Sequence, residues 1–208
     1  MRVDIWSDLV CPWCYIGKRR FETALATFPD NDRVQVVHRA FQLDPTMPKG
    51  QLFRHRDVLM RKYRMSDAQV TAAQARVEAI AAEEGLEYHL AESHTGNTLD
   101  AHRLVHHAAS RGIQDGVVER LFRAHFTEGR SLFDAESLVS LVEEAGLEGA
   151  RDVLAGDIHA DVVQADHLQA NSLGASGVPF FLFDGRTSVS GAQSAEVFVQ
   201  AMTRLLVP

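Results

Sequence analysis

The stretch VDIWSDLVCPWCYIGKRRF, residues 3–21, places a Cys-Pro-Trp-Cys motif between an alternating apolar segment and an amphipathic one. Val3 and Ile5 share one face of the first segment, which predicts a short strand. Apolar residues after the motif recur at helical spacing, so a helix is predicted to extend to about residue 27. Residues 34–38, VQVVH, are rich in β-branched side chains and predict a second strand. These segments make a strand–helix–strand unit with the cysteine motif at its first strand-to-helix junction.

Cys11 and Cys14 are the only cysteines in the chain. Residues three apart on a helix share one face, at about 5–6 Å between Cβ atoms, which is within reach of disulfide geometry. Cys11 would begin the helix, where unpaired backbone N–H groups and the helix dipole stabilise a thiolate. Because the thiolate is the nucleophile in disulfide exchange, Cys11 is expected to attack a substrate disulfide. Cys14, one turn further along and more shielded, is expected to resolve the mixed disulfide.

Two uncharged residues, Pro12 and Trp13, separate the cysteines. Stabilisation of a Cys11 thiolate is therefore expected to come mainly from backbone donors. Proline is well tolerated in the first helical turn, so Pro12 fits the start of the helix. A large aromatic residue at an exposed first turn has little core to fill, which favours a role for Trp13 in a substrate groove.

A second proline of interest, Pro179, comes directly before the apolar run FFLF. Proline cannot donate to a sheet ladder, so its place at the entrance to a buried strand needs a reason. The residues leave two interpretations open, a trans proline at the first position of the strand or a cis Val178–Pro179 bond. The cis bond would leave the backbone of Val178 free to pair with an incoming chain beside Cys11.

Between its two β-forming ends, the chain has helical periodicity almost throughout, from about residue 54 to 173. Ser66 and Asn97 are predicted helix caps. Strand signals return over residues 178–190 around an Asp-Gly turn, and a final helix is predicted over 195–206. The predicted fold class is α/β, with one domain from residues 1–44 and 174–208 and an all-helical insertion over 45–173.

Composition and charge argue against several classes of protein. The 208 residues carry a formal net charge of −7, which disfavours non-specific binding of nucleic acid. No apolar run reaches the roughly 18 residues of a membrane span, and the N-terminus lacks the apolar core of a signal peptide. We therefore expect a cytoplasmic protein without a membrane partner. No metal site is expected, because a second cysteine pair is missing and no histidine pair is well placed to complete a zinc site.

Other side chains are weaker candidates for the site. Asp4 and Asp8 are both placed to move the proton of the second thiol, and the sequence does not choose between them or between this role and a surface position. Asn97 is interpreted as a helix cap and His102 as a structural histidine rather than as ligands. Of the aromatic residues that could line a groove around Cys11, the core is the favoured place for Trp6, Phe41 and Phe180, while Trp13 and Tyr15 remain candidates for the groove.

Six motifs taken together resemble the FrnE-like branch of the DsbA thioredoxin family, over nearly the whole chain. They are WSDLVCPWCYIG at 6–17, NT and AHRL within 97–104, FTEGR at 126–130, SGVPFF at 176–181 and VSGAQ at 189–193. The resemblance implies a thioredoxin fold interrupted by a helical domain. It also implies that Cys11 is the nucleophile, Cys14 the resolving thiol and Pro179 a cis-proline that faces them.

The same superfamily includes 2-hydroxychromene-2-carboxylate isomerases and kappa-class glutathione transferases. These relatives carry serine in place of Cys11 and use glutathione, so the presence of both cysteines here favours disulfide exchange. Some FrnE-like proteins have a further cysteine pair near the C-terminus. That pair is absent from this chain, which puts any electron relay through a second pair in doubt.

The predicted function is a thiol–disulfide oxidoreductase that acts on disulfides or thiols of proteins or small molecules. Because the cytosol keeps thiols reduced, its work there would be reduction, isomerisation or repair. No cofactor is expected to be required, and glutathione and mycothiol are candidate electron partners. A homodimer is one candidate assembly, but the sequence does not determine the oligomeric state. Two alternatives stay open: a thiol-assisted isomerase or glutathione-transferase-like enzyme acting on a small aromatic or polyketide-type substrate, and a binding protein in which the cysteines only switch conformation.

Overall fold

A computed structural model describes residues 1–206 of the protein. Within that range, no helix is both long enough and apolar enough to cross a membrane. The strands and α-helices, in chain order, are β1 (Arg2–Ser7), α1 (Pro12–Thr27), β2 (Gln35–Ala40), β3 (Phe53–Arg54), α2 (His55–Tyr63), α3 (Asp67–Glu83), β4 (His94–Thr95), α4 (Leu99–Ala109), α5 (Gln114–Phe126), α6 (Ala135–Glu144), α7 (Ala150–Ala155), α8 (Ala160–Ser172), β5 (Phe180–Phe183), β6 (Thr187–Ser190) and α9 (Ala195–Arg204).

Four of the strands form one sheet in the order β2-β1-β5-β6. β1 pairs in parallel with β2, so that Ile5 lies opposite His38, and antiparallel with β5, so that Ile5 also lies opposite Phe181. β5 and β6 form the predicted hairpin, which turns at Asp184 and Gly185, both at positive φ. The sheet therefore joins the N-terminal crossover unit to the C-terminal hairpin, as the order of the sequence signals predicts.

The two faces of β1 lie in different hydrophobic clusters, as the alternation of its residues predicts. Val3 and Ile5 are buried with Phe21 of α1 and Phe198 of α9. On the other face, Trp6 is buried in a cluster with Phe41 and Phe180, and the Trp6 and Phe180 ring centroids are 5.8 Å apart. Because α1 is fixed to the sheet through the first cluster, its N-terminal end is held at a defined position.

The chain divides into two compact units, one formed by Met1–Leu43 with the residues from Asp161 onward, and one by Asp44–Ala160. The first unit contains the four-stranded sheet, α1, α9 and all but the first residue of α8. The predicted boundary at residue 173 differs from this division, because it assigns α8 to the insertion. Residues 207 and 208, which the prediction includes in the sheet domain, lie outside the described residues.

Buried hydrogen bonds explain why α8 falls with the sheet. The side chain of Asp166 in α8 accepts a hydrogen bond from the backbone N–H of Ala40, at 2.9 Å. The backbone carbonyl of Asp166 accepts another from the indole N–H of Trp6, also at 2.9 Å. Helical periodicity predicts the existence of α8, but such contacts between distant segments decide the unit to which it belongs.

The second unit is mostly helical, but it also contains a short antiparallel pair, β3 with β4, which the helical periodicity of this region does not predict. Ser66 caps α3 as predicted, in a reciprocal capping box with Gln69. The N-cap of α4 is Thr98 rather than Asn97. The Asn97 side chain nevertheless accepts from the backbone N–H of Leu99 at 2.9 Å, so it satisfies a free donor of the first turn.

Candidate active site

Cys11 occupies the N-cap position of α1, and Pro12 is the first residue of the helix. The turn that presents Cys11 is closed by two backbone hydrogen bonds of 3.0 Å, from Cys11 N–H to the Asp8 carbonyl and from Cys14 N–H to the Cys11 carbonyl. The N-cap position places Cys11 at the positive end of the helix dipole, which favours a thiolate, although its side chain makes no capping hydrogen bond to the helix. The motif therefore takes the predicted place at the strand-to-helix junction, with Cys11 only 5% exposed.

The loop before β5 comes to Cys11 from the opposite end of the chain. The Cys11 thiol donates a hydrogen bond to the carbonyl oxygen of Val178, with 3.6 Å between sulfur and oxygen. The Val178–Pro179 peptide bond is cis, as the family resemblance implies and as the residues alone left open. The structure thus brings together Cys11, Val178 and Pro179, all three of which are predicted site residues.

Cys14 lies one turn into α1 and is only 1% exposed. Both cysteines are free thiols. Burial raises the pKa of the Cys14 thiol well above its ordinary value, and a hydrogen bond with Cys11 and the nearby Cys11 and Asp8 charges raise it further. A hydrogen bond with the backbone of Asp8 acts in the opposite direction. Cys14 therefore holds its proton at neutral pH and must lose it before it can attack a disulfide.

The two candidate carboxylates, Asp4 and Asp8, have different surroundings. Asp4 accepts hydrogen bonds from Arg2 and Arg39, at 2.8 Å to each guanidinium Nε. Burial alone would raise the pKa of Asp4, but the hydrogen bonds and charges of the two arginines outweigh it and lower that pKa. Asp4 is thus kept ionised in an ion-pair network and is a poor acceptor for a proton.

Asp8 is the carboxylate that interacts with the cysteines. It is 1% exposed, its Oδ2 accepts a hydrogen bond of 2.7 Å from the backbone N–H of Leu43, and its charge acts on the Cys14 thiol. A buried carboxylate whose charge acts on a thiol with a raised pKa is suited to receive the proton of that thiol. Of the two carboxylates between which the sequence does not choose, Asp8 is therefore the one whose surroundings suit such a proton transfer.

Gly17 in α1, the last residue of the motif at 6–17, is a supporting residue of the site. A Cβ atom on Gly17 would lie 2.8 Å from Pro179 Cγ and 3.4 Å from Ala192. The 190–193 loop is hydrogen-bonded both to the cis-proline and to α1. Gly191 N–H donates to the Pro179 carbonyl, and the Arg20 side chain in α1 donates to the Ala192 carbonyl, each at 2.8 Å. A glycine inside a helix costs about 1 kcal/mol relative to alanine, so its presence was the available signal of a close approach.

The aromatic candidates divide between the surface and the core. Trp13 is 39% exposed beside the cysteines, as its position in the motif predicts. Trp6, Phe41 and Phe180 are buried, which confirms that they belong to the core. Tyr15 is also buried, and the guanidinium of Arg19 lies 5.4 Å from its ring centroid. Trp13 is thus the aromatic side chain of this set that is open to an incoming molecule.

Two further predicted candidates lie in the helical unit. His102 is a buried residue of α4. Asn97 has its amide group engaged within its own unit, since it also donates to the backbone carbonyl of Met47 at 2.6 Å. Over residues 1–206, no group of three or more His, Cys, Asp or Glu side chains is arranged to hold a metal ion.

Known proteins resemble the chain along almost its whole length. YwbO, an uncharacterized protein of Bacillus subtilis (strain 168), is 29% identical over 206 residues, which cover 98% of this chain and 96% of YwbO. A probable DsbA oxidoreductase from Streptomyces coelicolor is 48% identical, and its crystal structure superposes with a TM-score of 0.95 over 99% of this chain and 90% of the other. The cytosolic disulfide reductase DsbM from Pseudomonas aeruginosa, also solved with GSH, has the same fold at 20% identity, with a TM-score of 0.70 and 100% of both chains covered.

A family model described as a DSBA-like thioredoxin domain matches residues 2–203. This match and the Streptomyces structure confirm the resemblance inferred from the motifs, and with it the thioredoxin fold that carries a helical insertion. Because the match runs from the first strand into the last helix, the chain as a whole belongs to the DSBA-like thioredoxin domain family of thiol–disulfide oxidoreductases.

Proposed function

We propose that the protein uses the Cys11–Cys14 pair to reduce disulfide bonds in protein or small-molecule substrates in the cytoplasm. The observation that carries this proposal is the pairing of a cysteine at the helix N-cap with a second, buried cysteine one turn further along. The first position suits a nucleophile and the second suits a resolving thiol. The presence of both thiols favours disulfide exchange over an isomerase or transferase reaction.

The reaction begins when the Cys11 thiolate attacks one sulfur of the substrate disulfide. The substrate S–S bond breaks, one substrate sulfur leaves as a thiolate and takes up a proton, and a mixed disulfide joins Cys11 to the other sulfur. Cys14 then gives its proton to Asp8 and attacks Cys11 Sγ. The S–S bond between Cys11 and the substrate breaks, and the second substrate sulfur leaves as a thiolate that takes up a proton. Cys11 and Cys14 become a disulfide, so two electrons have passed to the substrate.

Two equivalents of a low-molecular-weight thiol such as glutathione or mycothiol would return the pair to the dithiol form. In that step the thiols are oxidised to their own disulfide and the enzyme receives the two electrons. The structure of DsbM with GSH, a protein of the same fold, supports this class of electron donor. The reducing poise of the cytosol supports reduction as the net direction.

The substrate would lie along the surface formed by Pro12, Trp13, Val178 and Pro179. The carbonyl of Val178 accepts from the Cys11 thiol in the free protein, and an incoming backbone N–H could take the place of that donor. Main-chain pairing of this kind binds an extended segment without regard to its side chains. The exposed indole of Trp13 would add apolar contact area next to the nucleophile.

The test is the reduction potential of the pair, titrated in defined thiol–disulfide buffers and followed by thiol labelling with mass readout. A value nearer to about −270 mV than to about −120 mV is expected for an enzyme that works as a reductase. A value near the second figure would assign the protein to the oxidants. If no Cys11–Cys14 disulfide forms at any poise, disulfide exchange is the wrong function and a thiol-assisted isomerase or transferase takes its place.

A further inference from the structure

Helix α8 holds the chain that leaves strand β2. The carboxylate of Asp166, which is 2% exposed, accepts a hydrogen bond from the Ala40 backbone N–H at 2.9 Å and one from the Arg39 guanidinium at 3.0 Å. The ring of the next residue, His167, packs against the Phe41 ring in a tilted arrangement, with 4.6 Å between ring centroids and 31° between the ring planes. Its Nδ1 accepts from the backbone N–H of Gln42 at 3.4 Å. Two successive side chains of α8 therefore contact four successive residues, 39–42.

Residues 39–42 lead directly to Leu43, whose backbone N–H donates to the Asp8 carboxylate at 2.7 Å. The Leu43 side chain is 43% exposed, so packing of that side chain does little to fix the backbone at this position. The amide of Leu43 is instead placed by the residues before it. Those residues are held on one side by α8 and on the other by a bond from Phe41 N–H to the Ser7 carbonyl, at 3.1 Å.

We propose that Asp166 and His167 are positioning residues for the resolving step of disulfide exchange. They fix residues 39–42 and so place the Leu43 amide, which in turn orients the Asp8 carboxylate toward Cys14. This inference rests on the proposed function of Asp8 as the acceptor of the Cys14 proton. Neither Asp166 nor His167 touches the reacting sulfur atoms in this scheme, so both act through the backbone of residues 39–43.

Few charged groups lie between α8 and Cys14, and the effect of each can be tested separately by substitution. Cys11 and Asp8 act on Cys14, and Arg39 is the charged partner of Asp166. Arg39 also pairs with Asp4, which pairs in turn with Arg2. Because Arg39 contacts both carboxylates, removal of the Asp166 charge leaves the guanidinium paired with Asp4.

A two-phase reaction with the aromatic disulfide dithiobis(nitrobenzoate) separates the resolving step from the first attack. Attack by Cys11 releases one coloured thiolate at a rate proportional to the disulfide concentration. Resolution by Cys14 releases the second at a rate independent of that concentration. In Asp166→Asn the second phase is expected to slow about tenfold or more while the first stays unchanged, as for a loss of alignment at one reacting group.

Two comparisons distinguish positioning from a general structural defect. In an Asp8→Asn background, Asp166→Asn should have no further effect on the second phase, because the group that it positions is already removed. Asp161→Asn, a change at an exposed acidic residue in the first turn of the same helix, should leave both phases unchanged. If Asp166→Asn does not fold, His167→Phe keeps an aromatic ring against Phe41, removes the Nδ1 acceptor and should slow the second phase alone.

The inference is overturned if Asp166→Asn and His167→Phe each slow the first and second phases equally, or if neither variant slows the second phase. It is also overturned if Asp166→Asn slows the second phase as much in the Asp8→Asn background as in the unaltered protein. A failure of the proposed function has a different signature. In that case the unaltered protein itself would show no concentration-independent second release, because no disulfide would form between Cys11 and Cys14.

Discussion

Asp4 and Asp8 are the same residue type four positions apart, yet their contacts differ in how strongly they stabilise the ionised carboxylate. Asp4 is fixed as an anion by two arginines, whereas Asp8 is buried and accepts from a backbone amide. An ion pair with two guanidinium groups stabilises the charged form of a carboxylate and disfavours its protonation. The suitability of each aspartate as a proton acceptor therefore follows from its partners rather than from its position in the motif.

Asp8→Asn is expected to slow the resolving step by about 10²-fold or more, the range typical for loss of a general base. The direction of the effect identifies its cause. The Asp8 charge helps to raise the pKa of Cys14, so its removal should lower that pKa and produce more thiolate. If Asp8 acted through its charge alone, Asp8→Asn would accelerate the step, which stopped-flow detection of the second thiolate release can show. Asp4→Asn is the matched control and should leave that phase unchanged.

Asp4→Asn is expected to lower stability at neutral pH by about 1.5–3 kcal/mol, the usual range for hydrogen bonds to a charged group. The arginines lower the pKa of Asp4 in the folded protein. This stabilisation is therefore complete above the unfolded pKa of about 3.9 and is lost as pH falls through the folded pKa. Urea unfolding of both proteins should show a difference at about pH 7 that shrinks toward about pH 3. An equal difference at the two pH values would assign the loss to packing.

At the scale of elements, the site depends on how closely α1 approaches the loops on either side of the C-terminal hairpin. Gly17→Ala would place a methyl group 2.8 Å from the Pro179 ring, a rigid neighbour that cannot rotate away. We expect a loss of about 1–3 kcal/mol, as for overpacking of a core, together with slower attack by Cys11. Gly116→Ala in α5 meets no atom within 4 Å, so it should stabilise by up to about 1 kcal/mol. If the two changes have equal effects on the free energy of unfolding in urea, the close approach of α1 to Pro179 does not determine the stability of this region.

Elements with a strong local pattern could be predicted from the sequence. Helix α1 has its proline at the first position and the β5–β6 hairpin has its Asp-Gly turn, and both were placed within two residues. The β3–β4 pair could not be predicted, since strands of two residues are too short to show an alternation of apolar and polar side chains. The unit to which α8 belongs is decided by Asp166 and its contacts with Ala40 and Trp6, which no local pattern encodes.

At the scale of the whole molecule, the site is made by joining the two ends of the chain. Cys11 and Val178 are 167 residues apart and meet because β1 pairs with β5 in the central sheet. The motifs around these residues are local and could be recognised. The different surroundings of Asp8 and Asp4 could not be predicted, because they depend on Leu43 and Arg39, whose positions are set by tertiary contacts.

The raised pKa of Cys14 links the site to the stability of the entire fold. Burial is the main reason that this pKa lies well above its ordinary value, whereas the unfolded chain should have a thiol pKa of about 8.5. Above that pH the unfolded state loses the proton and the folded state keeps it, so folding stability should fall as pH rises. The stabilisation is complete below the unfolded pKa and is lost as pH rises through the folded pKa.

Urea unfolding of the reduced protein should therefore show a decline that approaches about 1.4 kcal/mol per pH unit above about pH 8.5. Cys14→Ala removes the titrating thiol and should remove this decline, although its cavity lowers stability at every pH. Cys11→Ala is the companion control, since it keeps the buried thiol and should retain most of the slope. If Cys14→Ala declines as steeply as the unaltered protein, other groups control alkaline stability and the Cys14 thiol is less protected by burial than its position indicates.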